Sequence, residues 1–189
     1  MLLRLATADD APGVRAVYAP LVESSVISFE LVVPAVDEVA TRITSRQPDH
    51  PWLVAEDDEG IAGYSYAGRF SARPAYDWSV ETSVYLAERA RGQGIGGRLT
   101  RALLEILAAQ GYRQAMAGVA LPNPASVRLH ESVGYELVGV YRASGWKFGA
   151  WHDVGWWQRA LAPPGDGAPA PPVPLDRLAP EVVHAALNR

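Results

Sequence analysis

The chain has 189 residues, of which 49% are hydrophobic and 20% are charged, a composition typical of a folded domain with a sizeable core. The absence of cysteine excludes disulfides, thiolate metal sites and cysteine nucleophiles. A net charge of -4 gives no electrostatic reason to expect a nucleic acid partner, and no apolar run reaches the roughly 18 residues of a membrane span. With no evident secretory signal, we expect a cytoplasmic protein without a membrane partner.

The first third of the chain has the periodicity of two helices followed by a hairpin. Thr7 is the expected N-cap of the first helix, in which apolar residues recur at helical spacing up to Val22. A second helix is expected over residues 35–46. Residues 52–56 and 61–67 have the pattern of strands flanking an acidic turn. A short strand, two helices and a hairpin are therefore predicted before residue 68.

The remainder of the domain alternates strands and helices. Val80, Thr82, Val84 and Leu86 face one side of a strand, and Glu81, Ser83 and Tyr85 face the other. After a glycine-rich loop, the predicted elements are a helix from Ile95 ended by Gly111, a strand over 113–120, a helix over 124–133 closed by Gly134, and strands over 135–141 and 154–159. Hairpins and crossover helices together predict an α/β structure with a mixed sheet and helices on its faces.

The chain changes character after residue 161. Residues 163–174 read PPGDGAPAPPVP, and such a stretch is expected to be extended because it cannot form a packed core. Residues 180–187 are compatible with a short helix. The sequence thus predicts a domain over residues 1–161 and a Pro/Ala-rich tail over residues 162–189.

The loop over residues 91–96, RGQGIG, has the features of an anion site. Amide groups at a helix start point outward, the helix dipole favours negative charge, and glycine lets the backbone approach phosphate closely. Arg91 adds a candidate charge-assisted contact. Glycines also occur at ordinary strand-to-helix turns, so the loop alone is not specific. The acidic residue expected about 20 residues after a Rossmann loop is missing, and no Gly-Lys-Ser/Thr of a P-loop follows.

Several motifs together resemble one superfamily. The segment VYLAERARGQGIGGRLTRALLE resembles motif A of the GNAT acetyltransferases, with Arg91, Gly94 and Gly96 at its fixed positions. Segments 51–56, 75–86, 121–136 and 145–158 are similar to the phosphinothricin and methionine sulfoximine N-acetyltransferases within it. The resemblance implies a GNAT fold, with a mixed, mostly antiparallel sheet of about six to seven strands, splayed at the centre and flanked by about four helices.

The same resemblance implies acetyl-CoA as co-substrate, with no metal, and a homodimer. The expected activity is direct transfer of the acetyl group, in a ternary complex, to the α-amino group of a small amino-acid analogue such as phosphinothricin or methionine sulfoximine. The alternatives are acetylation of another amino acid or small amine, and a non-catalytic acyl-CoA-binding module. The expected coenzyme contacts are Val84, Tyr85, Leu86, Arg91, Gly92, Gln93, Gly94, Ile95, Gly96, Gly97, Asn123 and Ser126.

Two residues are candidates for proton transfer. Glu81 is an acid in an otherwise buried strand, where a carboxylate is either structurally paired or placed for catalysis. Its match to the family's catalytic glutamate favours a general base that acts directly or through a water. His130 follows Ser126 by one helical turn, and an imidazole pKa near 6.5 suits proton transfer. A histidine bonded in a helix interface is the other interpretation. The division of work between the two residues is left open.

The acceptor residues are expected on loops. Phe29 and Glu30 lie in a segment that resembles the family's acceptor loop, and Ser83 shares a strand face with Glu81. Arg73 and Tyr76 suit an amino-acid carboxylate or a phosphinate, although a solvated arginine is an equal interpretation of Arg73. Glu30 and Ser71 replace basic residues of some family members, which weakens the case for anion binding. The aromatic cluster of Trp146, Trp151, Trp156 and Trp157 is expected to be structural, at a subunit interface.

Overall fold

The computed structural model describes residues 1–163 and 167–189, which form a seven-stranded sheet and five α-helices. The strands are β1 (Leu2–Leu5), β2 (Trp52–Asp57), β3 (Gly60–Arg69), β4 (Ser79–Leu86), β5 (Gln114–Leu121), β6 (Glu136–Lys147) and β7 (Ala150–Ala160). The helices are α1 (Ala11–Ser24), α2 (Val36–Arg46), α3 (Ile95–Gln110), α4 (Pro124–Ser132) and α5 (Pro180–Leu187). The predicted α/β class is confirmed.

The sheet is antiparallel except at its centre. Its strand order is β1-β2-β3-β4-β5-β7-β6, and β4 with β5 is the parallel pair. This pair is joined only over residues 79–81 and 114–116, whereas β3 pairs with β4 from Val80 to Leu86. The sheet is therefore splayed at its centre, as the resemblance implied, and the opening lies beside the second half of β4.

Two hydrophobic clusters cover the sheet, one on each face. Residues of α3 and α5 pack on one face with Val80, Val84 and Leu86 of β4. Residues of α1 and α2 pack on the other face, with Tyr85 against their cluster. The alternation predicted for β4 is confirmed at these positions, and it sets Glu81 and Ser83 on the side of α1 and α2.

The start of α1 differs from the prediction. Thr7 precedes a 3-10 turn over Ala8–Asp10, and the helix begins three residues later than a Thr7 N-cap would place it. The cause is Asp10, whose carboxylate accepts the main-chain N–H of Thr7 at 2.7 Å and two hydrogen bonds from Arg4 at 2.7 Å each. This cluster holds the chain in a tight turn before helical geometry begins.

The β6–β7 hairpin is longer than predicted. The strands were expected over 135–141 and 154–159, but pairing continues to Lys147 and Ala150 after a register shift between Tyr141 and Gly145. Ala143 has a φ of 48°, an irregularity that interrupts the alternation of apolar and polar residues. The extension carries the exposed aromatic rings of Trp146, Phe148 and Trp151, and Tyr141 is exposed at the end of the predicted strand.

The short helix expected over residues 180–187 is present as α5, and it packs on the domain, a contact that the sequence did not predict. Helix α5 lies against α3, and Ala186 is 5% exposed within the α3 cluster. The apolar residues Val183, Ala186 and Leu187 recur at helical spacing and supply this contact. Residues 164–166 of the predicted tail lie outside the described residues. No helix in the described ranges combines the length and apolarity needed to cross a membrane.

Candidate active site

The side chain of Thr82 links β4 to β5 at the point where the two strands separate. Its hydroxyl donates to the carbonyl of Met116 at 3.1 Å and lies 2.6 Å from the hydroxyl of Tyr135. Since the Thr82 proton is used on Met116, Tyr135 donates to Thr82. No β4–β5 pairing follows Glu81 and Met116 among the described residues. The second half of β4 therefore presents main-chain groups to a ligand instead of to a neighbouring strand.

A cleft of about 500 Å³ opens at this separation and extends over the start of α3 and along α4; we call it the main cleft. Ten of the predicted coenzyme residues line it: Val84, Tyr85, Leu86, Arg91, Gly92, Gly94, Gly96, Gly97, Asn123 and Ser126. Gln93 and Ile95 do not. Gln93 donates its side-chain amide to the carbonyl of Arg89 at 2.7 Å, and Ile95 is buried in the core.

The glycine loop leaves the start of α3 open to an anion. Gly92 and Gly94 have φ values of 74° and 77°, which favour glycine, and Gly94 is the N-cap, so no side chain covers the first amides of the helix. Glycine is needed at position 96 for a different reason: a Cβ there would lie 2.5 Å from the side chain of Leu129 of α4 and would clash with it. Arg91 lines the main cleft beside the loop. The loop therefore suits a pyrophosphate.

Helix α4 places His130 at the strand separation. Asn123 caps the helix by accepting the N–H of Ser126 at 3.1 Å. His130 is 4% exposed and lines a small cavity, of about 40 Å³, with Thr82, Ser83 and residues of β5. Its Nδ1 lies 2.8 Å from the carbonyl oxygen of Ser126. Because a carbonyl only accepts, Nδ1 carries the proton and Nε2 has a free lone pair.

Burial sets the protonation of this histidine. Desolvation lowers the pKa of His130, and the hydrogen bond to Ser126 offsets only part of that effect. Neutral His130 is therefore a proton acceptor at Nε2, whereas an acid role requires that it first take up a proton.

Glu81 faces a separate space of about 470 Å³, which we call the Glu81 pocket. Ser83, Tyr66 and Arg46 share in its lining. Burial raises the pKa of Glu81, and the positive charge of Arg46 lowers it in part. A carboxylate with a raised pKa in a pocket has the character of a general base.

Arg46 lies near Glu81 because a glycine lies opposite the carboxylate. Gly68 of β3 pairs with Glu81 in the sheet register, so a side chain at position 68 would lie beside the carboxylate on the same face. The guanidinium of Arg46 lies 3.3 Å from the place where a Cβ of Gly68 would be. The Glu81 pocket is thus lined by both a cation and an anion.

The predicted acceptor residues are distributed over several places. Ser83 lines the Glu81 pocket, and Glu30 lines an adjoining cavity of about 270 Å³. The ring of Phe29 lies against Gly145 of the hairpin. Arg73 and Tyr76 are exposed on the loop before β4, and Tyr76 contacts Phe70 at a centroid distance of 5.6 Å. These two residues line neither the Glu81 pocket nor the main cleft, and their role stays a prediction.

The charge of Glu30 is compensated within the chain. Arg42 donates to both of its carboxylate oxygens, at 2.7 and 3.3 Å. The loop that carries Glu30 is further held by Lys147, whose buried ammonium donates to the carbonyls of Val22 and Ser28 at 2.7 Å each. The acidic residue that weakened the sequence case for anion binding is therefore paired with a cation.

Several site residues had no signal in the sequence. Arg46 ends a helix and has no motif around it, and Tyr66 reads as an ordinary strand residue. Arg101 has a partial signal, since it follows Gly97 of the glycine loop by one helical turn and lines the same cleft. Other lining residues that the sequence did not indicate include Ile27, Arg128, Asp49 and His50, and Lys147 was missed as the support of the loop that carries Glu30.

Comparison with known proteins shows which family the chain belongs to. A family model described as an acetyltransferase (GNAT) domain matches residues 3–156. The chain belongs to the GNAT acetyltransferase family. The match covers the glycine loop, both proton-transfer candidates and all the predicted acceptor residues of this GNAT chain.

Relatives within the GNAT family are named N-acetyltransferases. The chain is 42% identical over 171 residues to a phosphinothricin N-acetyltransferase of Streptomyces viridochromogenes, covering 90% of this chain and 93% of the relative. It is 34% identical over 163 residues to an L-methionine sulfoximine/L-methionine sulfone acetyltransferase of Pseudomonas aeruginosa, covering 85% and 95%. This GNAT protein is therefore an N-acetyltransferase.

A solved structure supports the coenzyme assignment. A GNAT superfamily phosphinothricin acetyltransferase from Sinorhizobium meliloti, in complex with AcCoA, matches with a TM-score of 0.84 and 36% identity, covering 89% of this chain and 92% of that one. The splayed sheet of this GNAT chain and the open start of α3 are consistent with binding of the same coenzyme.

Proposed function

We propose that this N-acetyltransferase acetylates the α-amino group of a small amino-acid analogue, with phosphinothricin and methionine sulfoximine as the leading acceptors, by direct transfer from acetyl-CoA in a ternary complex. One observation carries the proposal. Ser83, next to Glu81 on β4, lines the Glu81 pocket and also the cavity between β4 and β5 that holds His130. The base and the histidine therefore lie on either side of the point at which donor and acceptor would meet.

The donor side is the main cleft. Acetyl-CoA would supply the thioester-activated acetyl group. The first amides of α3 and the Arg91 guanidinium are suited to its pyrophosphate, and the free main-chain groups of residues 84–86 are suited to its pantetheine arm. A main-chain N–H of Tyr85 or Leu86 is the donor that we assign to the negative charge that develops on the thioester oxygen.

The acceptor side is the Glu81 pocket. Glu81 takes a proton from the acceptor's ammonium, directly or through a water, which frees the nitrogen lone pair for attack. An α-amino acid carries an anionic group a few bonds from its amine, and the Arg46 cation beside Glu81 complements that arrangement. The pairing of Glu30 with Arg42 removes a negative charge that would oppose a carboxylate or phosphinate.

His130 completes the proton path. Attack by an amine leaves a second proton on nitrogen, and the lone pair at Nε2 is available to take it. The charged imidazole then delivers the proton to the departing thiolate. This assigns the first proton to Glu81 and the second to His130, which joins the base and acid roles that the sequence left open.

A thiol-release screen tests the acceptor class. The purified protein would be mixed with acetyl-CoA and, in turn, phosphinothricin, methionine sulfoximine, methionine sulfone and the common amino acids, with kcat/KM as the measure. We expect the two named analogues to rank first. A higher kcat/KM for an ordinary amino acid or amine would replace the proposed acceptor, and tight acetyl-CoA binding without thiol release from any amine would show a non-catalytic module.

We further propose that the chain is a homodimer that uses the β6–β7 hairpin. Strand β6 lies at the edge of the sheet, and Trp146 and Trp151 are 55% and 61% exposed near its tip. Exposed aromatic rings clustered on an edge strand are typical of an interaction surface. The cytoplasmic location stays a prediction from the sequence.

A further inference from the structure

The segment over residues 170–178, which we call the strap, lies outside the residues that match the family model. It leads into α5, and the apolar anchorage of this region comes from α5 together with Leu175 and Leu178 of the strap. We propose that the strap positions the acceptor site, holding two walls of the Glu81 pocket in place. This inference rests on the proposed function.

The first contact reaches the loop between α2 and β2. The main-chain N–H of Val173 donates to the carbonyl of Gln110 at 2.7 Å, and the Gln110 side-chain amide donates back to the Val173 carbonyl at 3.0 Å. The same amide nitrogen donates to the carbonyl of Asp49 at 2.8 Å. Gln110 is 1% exposed, so its bonds are shielded from water. Val173 and Asp49 are thus joined through one buried side chain.

The second contact joins the strap to the same loop directly, without an intervening side chain. The N–H of Leu175 donates to the carbonyl of Pro48 at 2.9 Å. Asp49 and His50 both line the Glu81 pocket, and the His50 ring stacks on Tyr112, whose hydroxyl donates to the carbonyl of Asp49. One wall of the pocket is therefore bonded to the strap at two successive positions.

The other wall is held through Trp78. Its indole N–H donates to the carbonyl of Ala170 at 2.8 Å. The neighbouring Asp77 forms an ion pair with Arg69 at 2.6 Å, and Arg69 lines the Glu81 pocket. The loop before β4, which carries the predicted acceptor residues Arg73 and Tyr76, thus ends at a strap contact.

The sequence of the strap suits this task. Pro171, Pro172 and Pro174 fix their φ angles, so the first half of the strap is stiff and loses little entropy when it docks, and a 3-10 turn over Leu175–Arg177 follows. In each of these hydrogen bonds the strap contributes a main-chain N–H or carbonyl group, and the rigid prolines hold those groups in place. A stiff segment that contacts both walls of one pocket sets the distance between them.

Two proline variants separate positioning from folding. Val173→Pro removes the N–H that donates to Gln110, whereas Ala170→Pro introduces the same ring at a residue whose N–H has no main-chain acceptor in the described ranges and leaves its carbonyl for Trp78. Loss of one shielded hydrogen bond is expected to raise the acceptor KM about fivefold in Val173→Pro. We expect the acetyl-CoA KM to stay within about twofold of the wild-type value, and Ala170→Pro to match the wild type in both.

The experiment distinguishes failure of the strap proposal from failure of the proposed function. A Val173→Pro variant with a lower Tm but both KM values unchanged, or with both raised equally, would overturn the positioning role. If the wild type releases no thiol with any acceptor, the proposed function fails, and amide hydrogen exchange then decides about the strap. We expect faster exchange at the amides of Asp49 and His50 in Val173→Pro, with the interior of α3 unchanged; equal exchange in both proteins would refute the proposal.

Discussion

At the scale of single residues, the proposed chemistry depends on the pKa of Glu81, on which burial and the charge of Arg46 have opposite effects. Burial raises its pKa and the Arg46 charge lowers it in part, so the carboxylate is a stronger base than an exposed glutamate. Burial lowers the pKa of His130, which favours its neutral form. The proposed mechanism uses both groups as proton acceptors.

Removal of the Arg46 charge should move the pH profile. Glu81 works as a base when ionised, so log kcat/KM falls as pH drops through its pKa. Since Arg46 lowers that pKa, Arg46→Met raises it, and the acidic limb moves to higher pH. Arg69→Met is the matched control, because Arg69 lines the same pocket but is paired with Asp77. The profile of kcat/KM against pH measures both, and an acidic limb that stays in place in Arg46→Met would contradict the assignment.

At the scale of elements, the β6–β7 hairpin supports the loop between α1 and α2. Lys147 donates to Val22 and Ser28 of that region, and the Phe29 ring occupies the space left by the missing side chain of Gly145. A Cβ at Gly145 would lie 2.2 Å from the ring. The position of a predicted acceptor residue is thus set by a glycine more than a hundred positions away in sequence.

Gly145→Ala should displace Phe29 and weaken acceptor binding. The Phe29 ring is 37% exposed and has room to move, so the change should cost little stability. Loss of an apolar contact to the acceptor is expected to raise its KM about tenfold. Gly139→Ala, in the same strand with nothing near its would-be Cβ, should leave KM as in the wild type. Equal acceptor KM values in the two variants would remove Phe29 from the acceptor site.

At the scale of the whole molecule, the fold and the coenzyme side were predictable because their signals are local. The alternation of β4 and the loop from Arg91 to Gly96 each lie within a few consecutive residues; the alternation is confirmed, and the loop lines the main cleft except at Gln93 and Ile95. Arg46 and the strap were not predictable. Arg46 lies beside Gly68, the strand partner of Glu81, and Val173 is joined to Asp49 through Gln110, so neither arrangement leaves a periodic pattern.

The proposed dimer makes a prediction at the same scale. Light scattering should give twice the chain mass of 20.4 kDa for the wild type. Trp151→Asp replaces an exposed aromatic ring of the hairpin with a negative charge, and it should raise the dimer Kd at least about 30-fold. Leu2→Asp, at the opposite edge of the sheet, is the control and should remain dimeric. A monomeric wild type, or a Trp151→Asp variant that stays dimeric, would rule out this interface.

The most direct test of Glu81 as the general base is the Glu81→Gln variant, measured for thiol release and for acetyl-CoA affinity on the same preparation. A general base contributes about 10² to 10⁴ in rate, so kcat should fall by that factor, and the acetyl-CoA Kd should stay within about twofold because Glu81 faces the pocket rather than the main cleft. The exposed Glu88→Gln, just after β4, should behave as wild type. An unchanged kcat in Glu81→Gln would contradict the catalytic assignment.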